Sequence, residues 1–243
     1  MSEQLWFTEV LNHTFGGPVT GLLRALHMPP DYAEAPISNA FAMELLVFLF
    51  LVSLFLLVRS RLSVESPGGL QHTFEGLHGF IAGQCEEIIG HHSEGFVPFL
   101  VALFLFILIC NLIGLVPGFE APTAVPVVPL GCAICAFFYY QAQGFKHAGI
   151  GYLKHFAGPM PFLAPLMIPI EIISHLARVL SLTIRLFANM FAGDMVTLVF
   201  FSLIPVGIPV IFLGLHLGVS FLQTYIFVLL TTVYLAGAVA DEH

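Results

Sequence analysis

Two arginines lie inside a long apolar segment of the chain, where a charged side chain is costly. Arg178 and Arg185 occur in the segment that begins at Met167, whereas the other Lys and Arg residues lie in polar tails or loops. An arginine at the depth of a lipid bilayer costs about 2.5 to 3.5 kcal/mol on insertion scales, so it normally marks a charge pathway or a binding partner. The chemistry predicted here is the binding or movement of charge within a membrane.

The arginines belong to a polar stripe on a predicted helix. Glu171, Arg178 and Arg185 follow one another at intervals of seven residues, and seven residues turn a helix to within about 20° of its starting direction. The stripe predicts a polar path along an otherwise apolar helix. Four more polar side chains fall beside or close to it: Ser174, His175, Ser181 and Asn189.

The two arginines differ in what their own helix offers them. Arg178 follows Glu171 by two turns, so pairing with that acid, or extension of its side chain to the membrane surface, explains Arg178 without any transport function. Arg185 has no acid three or four residues away. A partner for Arg185 is therefore expected outside its own helix.

A second acid and a histidine form a candidate proton relay. Asp194 follows Arg185 by nine residues, about 180° around the helix, so it faces a different neighbour. The last apolar segment supplies His216, and Gln223 lies on the same face seven residues later. Imidazole titrates near neutral pH, which suits proton uptake and release within a membrane. The alternative is that Asp194 and His216 only bridge two helices, and that Gln223 only holds helices together.

The composition predicts that lipid surrounds most of the chain. Apolar residues make up 58% of the 243 and charged residues 9%, and the mean hydropathy is +0.96, whereas roughly 25% of residues are charged in soluble domains. The net charge of −8 and the lack of a Lys/Arg cluster argue against nucleic acid as a partner. The predicted fold class is all-α, a polytopic membrane bundle.

Apolar runs predict five membrane-inserted helices behind an N-terminal tail. A crossing of about 30 Å of hydrocarbon needs about 20 helical residues. The last two segments would extend about 55 Å and about 50 Å as helices, so they must tilt or kink. The tail, residues 1–37, contains four prolines and is predicted to form only short helices. The membrane domain, 38–243, has predicted spans at 38–58, 96–116, 123–143, 167–203 and 205–237, with an amphipathic surface helix at 70–89.

Basic residues in loops set the predicted orientation. Arg59 and Arg61 end the first span, and Lys146 and Lys154 follow the third, which puts both loops on the cytoplasmic side. The tail and the loop that carries Glu120 then face outward, and the C-terminus is cytoplasmic. No signal peptide or organelle presequence is recognisable, so a bacterial inner membrane is predicted.

Neither a cofactor nor a metal site is predicted. Cys132 and Cys135 form a C-x-x-C, but it lies in an apolar run without further ligands, which favours packing. His91 and His92 with Glu94 resemble a metal cluster only loosely, because adjacent histidines point to different faces of a helix. A solvated loop is the better interpretation of that segment.

Two stretches resemble the signature helices of the F-type ATP synthase subunit a family. They are SLTIRLFANMFAGD, at Ser181 to Asp194, and LHLGVSFLQTYIFVLLTTVYLAGAVADEH, at Leu215 to His243. The layout is similar too, with a spanning hairpin that starts near NLIGLVPG and two long C-terminal helices. The resemblance implies a non-catalytic, proton-conducting subunit. Its implied partners are a ring of c subunits, the subunit b peripheral stalk, the rest of the ATP synthase and the lipid membrane.

The resemblance also implies a role for each polar residue. Arg185 matches the family's essential arginine, which faces a carboxylate of the c ring. The acid at position 194 is Asp where Glu is commoner in the family, and its shorter arm needs a water molecule to reach His216. The role of Arg178 stays open. The implied proton path comprises Asp194, His216, Asn189, Gln223, Glu171, Ser174 and His175.

A secondary transporter that binds an anionic substrate at Arg185 is the main alternative. Such a transporter predicts broken helices at matching places in two sequence repeats, and the sequence has no recognisable repeat. An intramembrane hydrolase is disfavoured because neither H-E-x-x-H nor G-x-S-x-G occurs.

Overall fold

A computed structural model describes residues 5–25, 36–63, 68–90, 93–116, 118–149, 164–203 and 207–239. The regular structure of these residues is entirely helical, so the predicted all-α class is confirmed. The α-helices are α1 (Trp6–Ala25), α2 (Asn39–Ser60), α3 (Gly69–Ile89), α4 (Val97–Ile113), α5 (Val127–Ala148), α6 (Ala164–Leu203) and α7 (Ile208–Val239).

Three helices in the described part of the chain are long and apolar enough to cross a membrane, namely α2, α6 and α7. They coincide with three of the predicted spans. The helix α4 is apolar but has 17 residues, and α5 carries Gln141, Gln143 and Lys146 towards its end. The predicted count of five inserted helices therefore stays a prediction, because it requires that α4 and α5 also insert into the membrane, as a hairpin.

The two C-terminal helices are the longest described. With 40 and 32 residues, α6 and α7 extend about 60 Å and about 48 Å, which exceeds the bilayer hydrocarbon of about 30 Å. The helix α6 starts three residues before the predicted Met167 and continues through Pro169. The predicted start of the last span at Pro205 lies outside the described residues, as do the C-terminus from Ala240 and the loop residue Lys154.

The apolar core joins α6 and α7 to α4 and α5. From α6 it takes Leu182, Leu186 and Met190, and from α7 it takes Phe227 and Val228. Between helices in lipid, association depends on close van der Waals packing and interhelical hydrogen bonds. These buried contacts fix the face of α6 that meets α7, and thereby the directions of its polar side chains.

The rest of α6 presents a wide apolar face that no other described element covers. Its side chains at Ile173, Leu176, Leu180, Ile184 and Leu198 are each more than half exposed. This face is available to lipid or to another protein.

The corner between α4 and α5 depends on a close backbone approach at Gly114. A Cβ atom at this position would lie 2.6 Å from the Cβ of Ala121, so a larger residue does not fit. The helix α4 accordingly ends at Ile113, three residues before the predicted end. The next helix, α5, begins four residues later than predicted and runs five residues further, and Gly149 with a φ of 57° then ends it.

The N-terminal tail contains a longer helix than predicted. The helix α1 runs through Pro18 for 20 residues, although a proline inside a helix removes a hydrogen bond. Contacts outside the helix support it, because the Asn12 amide donates to the Ile37 carbonyl at 3.1 Å and accepts from the Ile37 N–H at 3.0 Å. Pro29 and Pro30 lie outside the described residues.

The predicted amphipathic helix is present as α3. Its buried residues Ile81 and Cys85 join the core beside α4 and α7, while Glu86 on the same helix is exposed. The Tyr225 hydroxyl on α7 donates to the Gln84 side-chain oxygen at 3.1 Å. This bond ties α3 to the helix that carries His216 and Gln223.

Candidate functional site

Arg185 lies near the middle of α6 and is half-buried. Its guanidinium donates a long hydrogen bond, 3.4 Å, to the Ser181 hydroxyl one turn earlier. None of the ion pairs among the described residues includes Arg185. The positive charge therefore has no carboxylate of the described chain to neutralise it.

A hydrogen bond between α6 and α7 lies one turn beyond Arg185. The Asn189 side-chain nitrogen donates to the Gln223 oxygen at 2.7 Å, and Gln223 is only 2% exposed. The Gln223 nitrogen is buried without a hydrogen-bond partner among the described residues. An unsatisfied buried amide donor is unfavourable, so a hydrogen bond from Gln223 to a group outside the described residues is expected.

A buried network on α4 fixes the register of α7 beside this pair. Asn111 donates to the Thr224 hydroxyl at 3.1 Å and accepts from the Thr123 hydroxyl at 2.7 Å. All three side chains are buried. Because Thr224 follows Gln223 directly, the network sets the rotation of α7 at the residue that contacts Asn189.

Asp194 and His216 come together on the other side of α6 from Arg185. The His216 Nδ1 atom lies 3.7 Å from an Asp194 carboxylate oxygen, which is longer than a direct hydrogen bond. His216 is 4% exposed, and its Nε2 atom is buried without a hydrogen-bond partner among the described residues. The pair has the two titratable groups that a proton relay needs.

Gly193 makes room for the His216 ring. A Cβ atom at position 193 would lie 2.9 Å from both the Cδ2 and the Nε2 atoms of His216. Any side chain there would push the imidazole out of its present position. The His216 ring can therefore lie next to Asp194 only because residue 193 has no side chain.

A cavity of about 630 Å³ opens beside this pair. Asp194 and His216 line its inner part, together with Thr197, and Glu120 lines it from the corner between α4 and α5. Glu120 is exposed, and the Asn39 side chain donates to it at 3.4 Å. The cavity thus joins the exposed Glu120 carboxylate to the half-buried Asp194 and the buried His216.

Another acid and histidine lie on the opposite side of Arg185 along α6. The His175 Nε2 atom lies 3.4 Å from a Glu171 carboxylate oxygen, and its Nδ1 atom lies 3.0 Å from the Tyr140 hydroxyl. His175 is 7% exposed and Tyr140 is 1% exposed. Ser174 is half-buried next to them. The chain therefore carries an acid–histidine pair on each side of Arg185.

Arg178 does not make the structural pairing with Glu171 that the sequence left open. Its guanidinium carbon lies 5.1 Å from the centre of the Tyr234 ring on α7, within the range of a cation–π contact. Glu171 instead pairs with His175. The two arginines of α6 thus have different surroundings, since Arg178 stacks on an aromatic ring and Arg185 contacts the Ser181 hydroxyl.

Within the described residues, no group of three His, Cys, Asp or Glu side chains is placed to hold a metal ion. The loop histidines His91 and His92 lie outside those residues. Cys132 is buried, Cys135 is exposed, and neither forms a disulfide.

Comparison with known proteins places these helices in a family. Residues 41–236 match the ATP synthase A chain family. The ATP synthase subunit a of Koribacter versatilis is 57% identical over 244 residues, which cover 100% of both chains. The ATP synthase subunit a of Solibacter usitatus is 56% identical over 96% of this chain and 100% of its own length. That of Citrifermentans bemidjiense is 41% identical over 90% of this chain and 95% of its own length.

The chain belongs to the ATP synthase subunit a family. The family match covers α2 to α7 almost completely, and therefore includes every polar contact described above for α6 and α7. The resemblance inferred from the two C-terminal stretches is thereby confirmed. The three membrane-length helices agree with a membrane-sector subunit.

The proton path predicted from the sequence omits three residues that the structure places at this site: Tyr140, Gly193 and Glu120. Tyr140 contacts His175 across 35 residues of sequence, and periodicity within one helix does not report such a contact. Gly193 could have been recognised from the sequence. A glycine inside a helix is unfavourable, so its presence there indicates a close packing contact. The sequence places Glu120 only in a loop, without a link to Asp194.

Proposed function

We propose that the chain is the proton-conducting stator subunit of an F-type ATP synthase, with two offset half-channels that meet a rotating c ring. The arrangement on α6 carries this proposal. Arg185 has no carboxylate partner in the described chain. It stands about 14 Å along the helix from Asp194 and about 15 Å from His175. A proton route on either side of one fixed positive charge is what a rotary mechanism requires.

The outer half-channel in this proposal is the cavity beside Asp194 and His216. Glu120 is the exposed carboxylate of its lining, and the lining also includes the half-buried Asp194 and the buried His216. The gap of 3.7 Å between Asp194 and His216 suits transfer through a water molecule. Protons entering from outside would reach the c ring through these groups.

The inner half-channel begins on the other side of Arg185. Glu171, Ser174 and His175 are its proposed proton path, and the Glu171 side chain, 34% exposed, is its most accessible titratable group. Lys146, which the sequence placed in the cytoplasmic loop, lies in the last turn of α5, at the end of the helix next to that loop. Protons released by the c ring would leave along this side.

Arg185 has two functions in the proposed mechanism. Its positive charge favours the ionised form of a c-ring carboxylate that arrives opposite it, so that the proton leaves the ring. The same charge repels protons that would pass directly between the half-channels. Current must then pass through rotation of the ring. Asn189 and Gln223 support the arginine by holding α6 and α7 together through their hydrogen bond of 2.7 Å.

The proposed partners are the c ring, the subunit b stalk and the rest of the synthase, with lipid around the remaining surface. Arg185 supports a protein partner at the uncovered side of α6, because lipid alone does not neutralise its charge. The chain itself is proposed to catalyse no reaction. It would lie in a bacterial inner membrane, with the tail of residues 1–37 outside, the domain of residues 38–243 in the membrane, and the C-terminus in the cytoplasm.

Sided labelling of cysteines tests the two half-channels. Thr197→Cys lies in the proposed outer channel and Ser174→Cys in the inner one, each in a Cys135→Ser background that removes the exposed native thiol. A membrane-impermeant thiol reagent should label Thr197→Cys in right-side-out vesicles of the whole complex, and Ser174→Cys in inverted vesicles. Labelling of both from one side, or of neither from either side, would contradict the proposal.

A further inference from the structure

A buried tyrosine, a buried histidine and a half-exposed carboxylate form a continuous chain across the α5–α6 interface. Tyr140 on α5 contacts Nδ1 of His175 at 3.0 Å, and Nε2 of His175 faces Glu171 at 3.4 Å. The exposed fraction of these residues rises from 1% at Tyr140 through 7% at His175 to 34% for the Glu171 side chain. Of the three groups, the carboxylate is the one open to water.

The partners on the two ring nitrogens determine which nitrogen carries the hydrogen. An ionised carboxylate can only accept a hydrogen bond, so the nitrogen that faces Glu171 carries the hydrogen of the neutral ring. The Nδ1 atom is then an acceptor, and the Tyr140 hydroxyl donates to it. A hydrogen bond on one imidazole nitrogen fixes what the other nitrogen can do. Tyr140 therefore keeps the N–H of His175 directed at Glu171.

We infer that Tyr140 and His175 are positioning residues that hold the Glu171 carboxylate as the proton-transfer group of the inner half-channel. The inference rests on the proposed function. It adds Tyr140 to the inner half-channel and assigns to His175, already placed in that proton path, the orientation of the carboxylate. Glu171 exchanges protons with water, His175 orients the carboxylate, and Tyr140 fixes the hydrogen position of His175. Nothing in this arrangement requires Tyr140 to lose its own proton.

The other charged and titratable groups near His175 support this assignment. On α6, Arg178 is the nearest cation in sequence, but its guanidinium stacks over Tyr234 of α7. Tyr234 also contacts the Tyr140 ring, with 6.2 Å between ring centres. Arg178 is thus held by an aromatic ring while the Glu171 carboxylate faces His175.

A double-mutant cycle separates positioning from packing. Tyr140→Phe removes the hydroxyl and keeps the ring that packs against Phe137 and Tyr234. We expect it to lower ATP-driven proton pumping by the whole complex in inverted vesicles about fivefold, the effect of one lost hydrogen bond. In a Glu171→Gln background, which has lost the carboxylate, the same change should have almost no further effect on the residual pumping.

Tyr139→Phe is the matched control. The Tyr139 ring stacks on Phe99 with centroids 3.7 Å apart, so its hydroxyl belongs to a different environment, and pumping should stay within about 1.5-fold of wild type. The inference is overturned if Tyr140→Phe has no effect, or if it lowers pumping by the same factor in both backgrounds. Asp194→Asn, measured in parallel, tests the proposed function separately from the role of Tyr140 and His175. Normal pumping by Asp194→Asn would contradict the proposed function itself.

Discussion

Arg185→Ala is expected to lower ATP-driven proton pumping at least about 100-fold. Removing a preorganised charge from a site that excludes water typically has an effect of this size. The guanidinium is the one charge of the proposed mechanism that favours ionisation of the c-ring carboxylate, and no ion pair in the described chain uses it. Quenching of a pH-sensitive dye in inverted membrane vesicles measures the loss.

Arg178→Ala is the matched control, because it removes the same side chain from the same helix two turns away. Arg178 stacks on Tyr234, so its loss removes a cation–π contact and is expected to reduce pumping no more than about threefold. Western blots of both variants in the membrane exclude a difference in assembly. Coupled pumping at the wild-type rate by Arg185→Ala would end the proposed mechanism.

Asp194→Asn has the second largest expected effect, about a 100-fold loss of coupled pumping. The amide fills the same space but cannot take up or release a proton, and a positioned acid or base typically contributes about 100-fold or more to proton transfer. Its neighbour His216 is 4% exposed, so in the proposed outer channel a proton is expected to reach the imidazole through the Asp194 carboxylate. Pumping by vesicles of equal subunit content is the measurement.

Asp194→Glu is the control for this position. The side chain is one methylene longer and can close the 3.7 Å gap to His216, so it should pump within about threefold of wild type. If the Asn variant pumps as well as the Glu variant, Asp194 is only a bridge between helices. That result would return the pair to the structural interpretation that the sequence allowed.

Helical periodicity accounts for the parts of the site that the sequence could predict. Glu171, Arg178 and Arg185 recur every seven residues on one helix, and α6 does run unbroken through all three. The family resemblance put Asn189 and Gln223 in the proton path, and the structure joins these two side chains by a hydrogen bond of 2.7 Å. These predictions rested on the regular geometry of one helix or on similarity to a known family.

Contacts between helices account for the parts that the sequence could not predict. The partner of His175 comes from α5 and the room for the His216 ring comes from Gly193, and both depend on how helices pack rather than on how one helix repeats. The predicted ends of α4 and α5 were wrong for the same reason. The corner after α4 depends on the close approach of Gly114 to Ala121. A Cβ atom added at Gly114 would lie 2.6 Å from the Cβ atom of Ala121.

In the proposed mechanism, the exposed side of α6 next to Arg185 faces the c-ring carboxylate. Disulfide cross-linking in the assembled complex tests it, with a cysteine beside the c-ring carboxylate and a second cysteine on α6. Ala188→Cys, on the exposed side of α6 and three residues from Arg185, should cross-link to the ring. Met190→Cys, which replaces a fully buried side chain, should not. Absence of a ring cross-link from Ala188→Cys, or an equal yield from Met190→Cys, would contradict the account.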